Sequence, residues 1–185
     1  MLLRIYEKML EREIKKIPRH IVVICNQLGE GFLNFAAWCR KFGVEEITVC
    51  SHNRINEDLL KGFKVRMIQN EHVEEKEGEM PTINVLAGYT GHEEILNTVR
   101  KLAEMVRRGE LRPEEVDEKV FEKFLTVKTS PDIIIKAGNE VPEFLIWQGI
   151  YSELYFADID WENFRYVDFL RILREYQRRE RRYGR

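Results

Sequence analysis

Residues 131–161 read PDIIIKAGNEVPEFLIWQGIYSELYFADIDW, and this stretch decides the fold class. It contains two runs, Asp132–Ile135 and Leu154–Ala157, whose β-branched or aromatic residues predict two strands buried in a sheet. A polar cluster, Lys136–Glu140, follows the first run directly. Ligands of open parallel sheets bind beyond the carboxyl ends of the strands, so this cluster is a candidate binding loop.

A second apolar run lies in residues 18–26, PRHIVVICN, and predicts another strand that is buried on both faces. Further strands are predicted at Glu46–Ser51, Lys64–Ile68 and Thr82–Leu86. Helical patterns between and after the strands include Phe32–Phe42, the segment after the capping box Thr90–Glu93, and Asn163–Arg182. The sequence therefore predicts a single α/β domain, with about six strands in a largely parallel sheet flanked by helices.

The first 17 residues predict an amphipathic helix, because apolar residues recur at helical spacing among charged ones, at Leu2, Ile5 or Tyr6, Met9 or Leu10, Ile14 and Ile17. We therefore divide the chain into this N-terminal helix, residues 1–17, and a domain of residues 18–185. The domain ends in a basic tail, with seven arginines after residue 170. The helix is expected to pack on the domain or on a partner, and contact with a membrane surface is the alternative.

The composition excludes several classes of function. With 185 residues, 44% of them hydrophobic, the chain can bury the core of one domain, and a net charge of −2 gives no general attraction to nucleic acid. The three cysteines and four histidines lack zinc-ligand spacing, and no apolar run is long enough to span a bilayer. We therefore expect a cytoplasmic protein, with peripheral attachment to a membrane kept as an alternative.

Polar residues follow three of the predicted strands at their carboxyl ends. Asn26 follows the first strand, His52 and Asn53 follow the second, and Lys136 follows the fifth. Parallel strands end at one edge of a sheet, so these residues are candidates for a common binding cleft. The alternative is that they form ordinary turns.

Several stretches resemble the cis-prenyltransferases, the family of undecaprenyl and dehydrodolichyl diphosphate synthases. The run PDIIIKAGNE…EFLIWQ…YSELYF is similar to that family's PDLLIRTGGE…NFLLWQ…YAELYF, and PRHIVVICN is similar to its P-x-H-[IL]-A-x-[IV]-M-D-G-N. INVLAGYTGHEEI, at residues 83–95, and the terminal RERRYGR also resemble family segments in the family's order. The resemblance covers residues 18–184 and implies a six-stranded parallel sheet, a dimer and a hydrophobic tunnel for an isoprenoid chain.

The resemblance also implies a reaction. Family members add isopentenyl diphosphate in cis geometry to an allylic diphosphate and use Mg²⁺, which stabilises the charge on the departing diphosphate. Where the family has an aspartate that helps to place Mg²⁺, this chain has Asn26, whose neutral amide is a poor anchor for a hard cation. Lys136 stands at an arginine position, and the family's R-x-S motif is absent.

These losses predict a non-catalytic accessory subunit of a heteromeric cis-prenyltransferase. The pattern is similar to the Nogo-B receptor-like subunits of the family, whose C-terminal R-x-G motif binds diphosphate in the catalytic partner's site. Arg182 and Gly184 match that motif, and Glu153 matches a glutamate that contributes to the partner's metal or substrate site. The other residues expected to contact substrate are His52, Asn53 and Lys136.

The implied assembly makes dolichyl-type or undecaprenyl-type polyprenyl diphosphate from farnesyl-type and isopentenyl diphosphates. Its partners are a catalytic cis-prenyltransferase homologue and isoprenoid diphosphates, without nucleic acid, and Mg²⁺ is held through the partner. The chain alone is expected to be inactive and able to form a homodimer. Two alternatives stay open: a divergent, active homodimeric cis-prenyltransferase, and a lipid-binding scaffold that uses the tunnel.

Overall fold

A seven-stranded sheet organises the chain. A computed structural model describes residues 2–51, 53, 55–69, 72–88, 90–136, 143–157 and 159–179. The strands are β1 (His20–Ile24), β2 (Glu46–Ser51), β3 (Phe63–Gln69), β4 (His72–Lys76), β5 (Glu79–Ala87), β6 (Ile133–Lys136) and β7 (Glu153–Phe156). They lie in the order β4-β3-β5-β2-β1-β6-β7, and all neighbours are parallel except β3 and β4. The predicted α/β class with a largely parallel sheet is confirmed.

Helices cover both faces of the sheet. They are α1 (Leu2–Glu13), α2 (Gly31–Phe42), α3 (Gly91–Arg107), α4 (Glu118–Glu122) and α5 (Tyr166–Arg178), with 3₁₀ turns at Glu57–Leu60 and Pro113–Glu115. Helices α1, α2 and α5 pack on one face, and α3 lies on the other with the segments around Val127 and Phe144. The terminal helix begins three residues later than the predicted Asn163, and residues beyond Arg179 lie outside the described ranges.

The sheet has one strand more than predicted, the antiparallel edge strand β4. All of its side chains are exposed, so it shows no apolar alternation by which a sequence pattern could reveal it. The strand pairs with the backbone of β3, with Val73 opposite Ile68. It covers hydrogen-bonding groups that β3 would otherwise expose at the sheet edge. Backbone pairing rather than burial therefore stabilises β4.

An aromatic cluster holds α2 and α5 together on the sheet. Phe35 of α2 packs edge-on against Trp161, with 5.7 Å between ring centroids, and against Phe169 of α5, at 5.6 Å. Such pairs contribute about 0.5–1.5 kcal/mol each beyond the burial of their surface. The cluster fixes Trp161 against the loop that follows β1.

Trp161 explains the two glycines of that loop. A Cβ atom on Gly31 would lie 1.9 Å from the Trp161 carbonyl oxygen, and one on Gly29 would lie 2.8 Å from the Trp161 Cβ. Only a residue without a side chain allows this approach. The glycine pair is therefore a packing requirement of the loop after β1.

Helix α3 turns a polar stripe towards the sheet. The carboxylate of Glu94 is buried and accepts hydrogen bonds from the Thr126 N–H (2.6 Å) and from Gln148 Nε2 (3.0 Å). These partners fix the rotation of the helix, because a buried carboxylate requires them. The apolar spacing predicts Val99 on the core face, but Val99 is 50% exposed and Leu96 is 52% exposed. Helix α3 therefore presents an apolar surface outwards.

The connection from β2 to β3 is short. The two strands lie on either side of β5 and run parallel to it. Residues 52–62 join them, and the described part of this connection contains the 3₁₀ turn Glu57–Leu60. Crossovers between parallel strands usually take a dozen or more residues and contain an α-helix. This connection therefore adds little structure at the carboxyl edge of the sheet, where it begins.

Candidate functional site

The loops after β1 and β2 are joined at the carboxyl edge of the sheet. The backbone carbonyl of Asn26 accepts hydrogen bonds from Ser51 Oγ (3.1 Å) and Asn53 Nδ2 (2.9 Å). The Asn53 N–H donates in turn to Ser51 Oγ (3.1 Å). Ser51 is buried, whereas Asn26 and Asn53 are exposed. The predicted neighbours Asn26 and Asn53 are thus in direct contact, and Ser51 holds them together.

Lys136 lies at the same edge. It ends β6 opposite Ile24 of β1, and Ile24 pairs on its other side with Cys50 of β2. Asn26 follows Ile24 by two residues, so it lies between the loop after β2 and the end of β6. We call Asn26, Ser51, Asn53 and Lys136 the carboxyl-edge cluster.

Three of the predicted contact residues, His52, Arg182 and Gly184, lie outside the described residues. The loop of residues 137–142, which follows Lys136, lies outside them as well. The roles assigned to these residues from the sequence stay predictions.

Glu153 lies at the opposite edge of the sheet from Asn26. It begins β7 and pairs with Ile133, the first residue of β6. That position is three residues, or about 10 Å, along the strand from Lys136. Its carboxylate accepts a hydrogen bond from Arg179 Nη1 at 3.4 Å. Within one chain Glu153 does not join the carboxyl-edge cluster, so its predicted metal role requires a second subunit.

The carboxyl-edge cluster suits an anion better than a metal ion. Its polar groups are two amides, a hydroxyl and the ammonium of Lys136, which are neutral or positively charged. Mg²⁺ favours carboxylate and other oxygen ligands in octahedral geometry. Within the described ranges, no three or more His, Cys, Asp or Glu side chains gather to form a metal site. The residues of the cluster therefore do not fit the Mg²⁺ that the resemblance implies.

Cys25 is buried next to the cluster and serves packing. Burial raises the pKa of its thiol to about 11. The thiol is therefore protonated at neutral pH, whereas nucleophilic attack requires the thiolate.

A cavity of about 510 Å³ opens at the ends of β3 and β5, beside the short β2–β3 connection. Its lining combines apolar with polar or charged side chains, namely Ile55, Met67, Ile68, Glu57, His72 and Glu74. A polyprenyl chain is stabilised by apolar walls. The mixed lining gives no support to the lipid-binding alternative. Sequence reasoning missed this cavity because part of its wall is the edge strand β4, which the sequence pattern did not predict.

Comparison with known proteins gives a consistent result. A sequence model described as putative undecaprenyl diphosphate synthase matches residues 54–184. The tritrans,polycis-undecaprenyl-diphosphate synthase (geranylgeranyl-diphosphate specific) of Methanocaldococcus jannaschii is 32% identical, over 98% of this chain and 89% of that protein. The protein of the same name from Picrophilus torridus is 30% identical, over 98% of this chain and 96% of that protein. The one from Pyrococcus horikoshii is 47% identical over 107 residues, which are 56% of this chain and 40% of that protein.

Two solved structures share the fold. Lavandulyl diphosphate synthase from Lavandula x intermedia, in complex with dimethylallyl diphosphate, gives a TM-score of 0.73 at 22% identity, over 91% of this chain and 98% of that chain. A probable undecaprenyl diphosphate synthase from Campylobacter jejuni gives a TM-score of 0.68 at 16% identity, over 92% of this chain and 100% of that chain.

The chain is shorter than these relatives. Its alignment with the Methanocaldococcus jannaschii protein spans 248 positions, whereas the chain has 185 residues, which leaves at least 63 positions without a counterpart here. The match to the family's sequence model begins only at residue 54, three residues after β2 ends.

Proposed function

Because the chain belongs to the undecaprenyl diphosphate synthase family, we propose that it takes part in polyprenyl diphosphate synthesis as an accessory subunit beside a catalytic relative. One observation carries the proposal. Asn26 follows β1 at the position where the family resemblance expects an aspartate, and the carboxyl-edge cluster around it contains no carboxylate.

The chemistry of prenyl transfer explains why this residue matters. The bond between the allylic carbon and the diphosphate breaks, so the negative charge on the departing diphosphate must be stabilised. The cluster can donate hydrogen bonds to diphosphate oxygens from Asn53 and Lys136, but Asn26 offers no charged ligand for Mg²⁺. In this proposal the catalytic partner therefore provides the metal site, and isoprenoid diphosphates are the substrates of the assembly.

The length of the chain supports the same proposal. At least 63 aligned positions of the Methanocaldococcus jannaschii synthase have no counterpart here. The short β2–β3 connection and the family match that begins at residue 54 lie next to each other in the chain. We infer that most of the missing positions belong to this connection, at the edge that carries Asn26.

An exposed apolar surface on the α3 side of the sheet gives the partner a place to dock. Leu96 and Val99 project from α3, and Ile146 and Ile150 follow in the segment that packs at its start. We call these four residues the α3 patch. Contiguous apolar patches on soluble proteins often mark interaction sites. The same surface accounts for a homodimer when the chain is alone, and Arg182 and Gly184 then act in the catalytic partner's site.

Turnover tests the proposal. The chain is assayed alone, and co-purified with a catalytic relative from the same source, with Mg²⁺, labelled isopentenyl diphosphate and either farnesyl or geranylgeranyl diphosphate. We expect no product from the chain alone, and more product from the complex than from the catalytic relative alone. A complex no more active than the isolated relative would overturn the accessory role.

A divergent, active synthase is the second candidate. The relatives that align with 98% of the chain are themselves named as synthases, which favours it. In that case the pure chain forms product in a reaction that a metal chelator stops, and Lys136→Ala lowers its turnover. If the pure chain forms no product with either allylic substrate, this candidate is excluded.

A further inference from the structure

A second cavity, of about 330 Å³, lies on the α3 side of the sheet. Its walls are α3, the strands β3 and β4, and residues 123–128, which follow α4. None of the four residues of the carboxyl-edge cluster lines it. The cavity is therefore a site of its own, apart from the candidate functional site.

Cations outnumber acids on the walls of this cavity. The cationic lining residues are Arg66 of β3, Lys101 of α3, and Lys123 and Lys128 of the segment after α4. The acidic lining residues are Glu93 and Glu94, in the first turn of α3. Arg66 also forms an ion pair with Glu75, with 3.1 Å between Nε and Oε1. Even with Glu75 included, four cations face three acids, and we call this space the basic cavity.

Helix α3 lines the cavity with polar side chains, and like the other helices in the described ranges it lacks the length and apolar character to cross a bilayer. The two acids of its first turn differ in exposure. The Glu94 carboxylate is 5% exposed and is stabilised by the Thr126 N–H and the Gln148 amide. Glu93 is exposed, so that water and salt screen its charge. Glu94 is therefore the acid that acts on the interior of the cavity.

The two lysines after α4 lie in surroundings that favour an anion. Within the described ranges, neither the Lys123 nor the Lys128 ammonium forms an ion pair with a carboxylate. The Lys128 Nζ donates a hydrogen bond to the Lys123 carbonyl. Partial burial lowers the pKa of Lys128, although Glu94 opposes this shift. The nearby cations Lys101 and Arg66 lower it further. An anion bound here would stabilise the charged form of Lys128.

We propose that the basic cavity binds a small anion that carries a phosphate group. The ammonium groups of Lys123 and Lys128 donate to the phosphate oxygens, as lysines do in many phosphate sites. Phe124 and Leu125 provide an apolar wall for the organic part of such a molecule. The volume lies near the lower end of the range for small-molecule sites, which is about 300–1,000 Å³. This inference does not rest on the proposed function, since neither its substrates nor its partner take part.

The charges of the basic cavity favour a phosphate over a metal ion. Its four cations would repel a divalent metal ion, which requires a site rich in carboxylates. A phosphate group offers three acceptor oxygens, so it can meet donors from several walls at once. The Asn97 amide can add a neutral donor from α3, because its Oδ1 is the atom that accepts from Arg100 Nη1, at 3.1 Å.

NMR titration of the tag-free full chain tests the proposal. Inorganic phosphate, inorganic diphosphate and glycerol 3-phosphate are added separately at constant ionic strength, and the amide resonances are followed. We expect saturable shifts at Thr98, Lys101 and Thr126, which line the cavity. Tighter binding of glycerol 3-phosphate than of phosphate would identify an organic phosphate as the ligand, and the reverse order would identify a free anion. Shifts confined to Asn26 and Asn53 would place the anion at the carboxyl-edge cluster and overturn the proposal, as would shifts that do not saturate.

Substitutions that change the charge of the cavity test its role directly. Lys123→Gln with Lys128→Gln should weaken phosphate binding about tenfold or more, because charge-assisted hydrogen bonds are lost. The control pair Lys8→Gln with Arg12→Gln removes the same charge from exposed positions of α1, on the opposite face of the sheet, and should bind like the unmodified chain. Glu93→Gln should strengthen binding, because an opposing charge is removed while glutamine still fits the capping box.

The melting temperature of each variant shows whether the fold is kept. Equal weakening by the cavity pair and by the control pair would mean that the net charge of the chain, rather than the cavity, attracts the anion, and would overturn the proposal. Unchanged binding by the cavity pair would overturn it as well.

Discussion

The side chain of Gln177 in α5 donates a hydrogen bond from Nε2 to the backbone carbonyl of Glu13, the last residue of α1, over 3.0 Å. The Gln177 Oε1 also accepts a hydrogen bond from the Lys16 N–H at 3.0 Å. Carbonyl groups at a helix end have no partner within the helix, so this side chain completes the end of α1 from outside. The N-terminal helix is therefore fixed to the terminal helix by polar as well as apolar contacts.

Gln177→Ala should loosen α1. Loss of these hydrogen bonds is expected to lower the free energy of unfolding by about 1–2 kcal/mol, since each contributes roughly 0.5–1.5 kcal/mol. Chemical denaturation measures the change, and amide exchange should speed up in α1 before the rest of the fold. Arg178→Ala, at the exposed neighbouring position, is the control. Equal effects of the two substitutions would show that the Gln177 contacts contribute nothing.

Gly31→Ala should destabilise the fold although alanine is the better helix former. A Cβ at residue 31 would meet the Trp161 carbonyl oxygen at 1.9 Å, so α2 or Trp161 must move. Such overpacking costs about 1–3 kcal/mol, which outweighs the gain of about 1 kcal/mol in helix propensity. Thermal unfolding measures the difference, with Asn34→Ala on the exposed side of α2 as the control. A variant as stable as the unmodified chain would mean that Trp161 accommodates the methyl group.

His20 belongs to a buried polar network at the amino edge of the sheet. Thr129 donates to Glu46 Oε2, so the Thr129 oxygen accepts from the Nδ1–H of His20 at 3.2 Å. The His20 Nε2 is then free to accept the Thr48 hydroxyl at 2.8 Å. Burial lowers the pKa of His20, although Glu46 and Asp132 oppose this shift. His20 is therefore a neutral structural histidine.

The lowered pKa of His20 predicts a pH dependence of stability. The unfolded chain binds a proton below about pH 6.5, whereas the folded chain resists it. The contribution of His20 is therefore fully present above that pH and decreases as the pH falls towards the folded-state pKa. Unfolding free energies between about pH 5 and about pH 8 should show it as a difference between the unmodified chain and His20→Gln. A His20→Gln profile parallel to that of the unmodified chain would contradict the assignment.

Sequence patterns predict those parts of the fold that bury apolar residues or use local caps. The apolar run of β1 is one example, and the start of α3 is another, where Thr90 Oγ1 accepts from the Glu93 N–H at 3.2 Å. The rotation of α3 could not be predicted, because Glu94 is held by Thr126 and Gln148, which lie far along the chain.

In the candidate site, too, some features could be predicted from the sequence and others could not. Asn26 and Lys136 could be placed at one edge from the strand ends alone, since the carboxyl ends of parallel strands meet there. The role of Ser51 could not be predicted, because its hydroxyl donates to the backbone carbonyl of Asn26, 25 residues earlier in the chain. The separation of Glu153 from Asn26 also required the register of β6 and β7.

Charges placed in the α3 patch should separate the chain from its partner. Leu96→Glu with Val99→Glu would bury two carboxylates in the interface, and we expect the dissociation constant to rise about 100-fold or more. Analytical ultracentrifugation with a catalytic relative measures it, and also reports any homodimer. Leu2→Ser with Ile5→Ser on α1 is the control. Wild-type assembly of the doubly charged variant would place the subunit interface elsewhere.

The C-terminal tail gives the sharpest distinction between the two candidate functions. If Arg182 and Gly184 act in the partner's site, deletion of residues 182–185 should lower kcat of the complex about 100-fold, as expected when charge-stabilising donors are lost. The melting temperature and the assembly should stay unchanged, because the deleted residues come after α5, the last helix within the described ranges. Asn26→Ala in the same complex should leave turnover unaffected, since the chain's own edge carries no metal site in this proposal. The reverse result would be an Asn26→Ala complex without turnover and a truncated complex that keeps it. That result would place catalysis in the carboxyl-edge cluster of this chain and establish the divergent synthase instead.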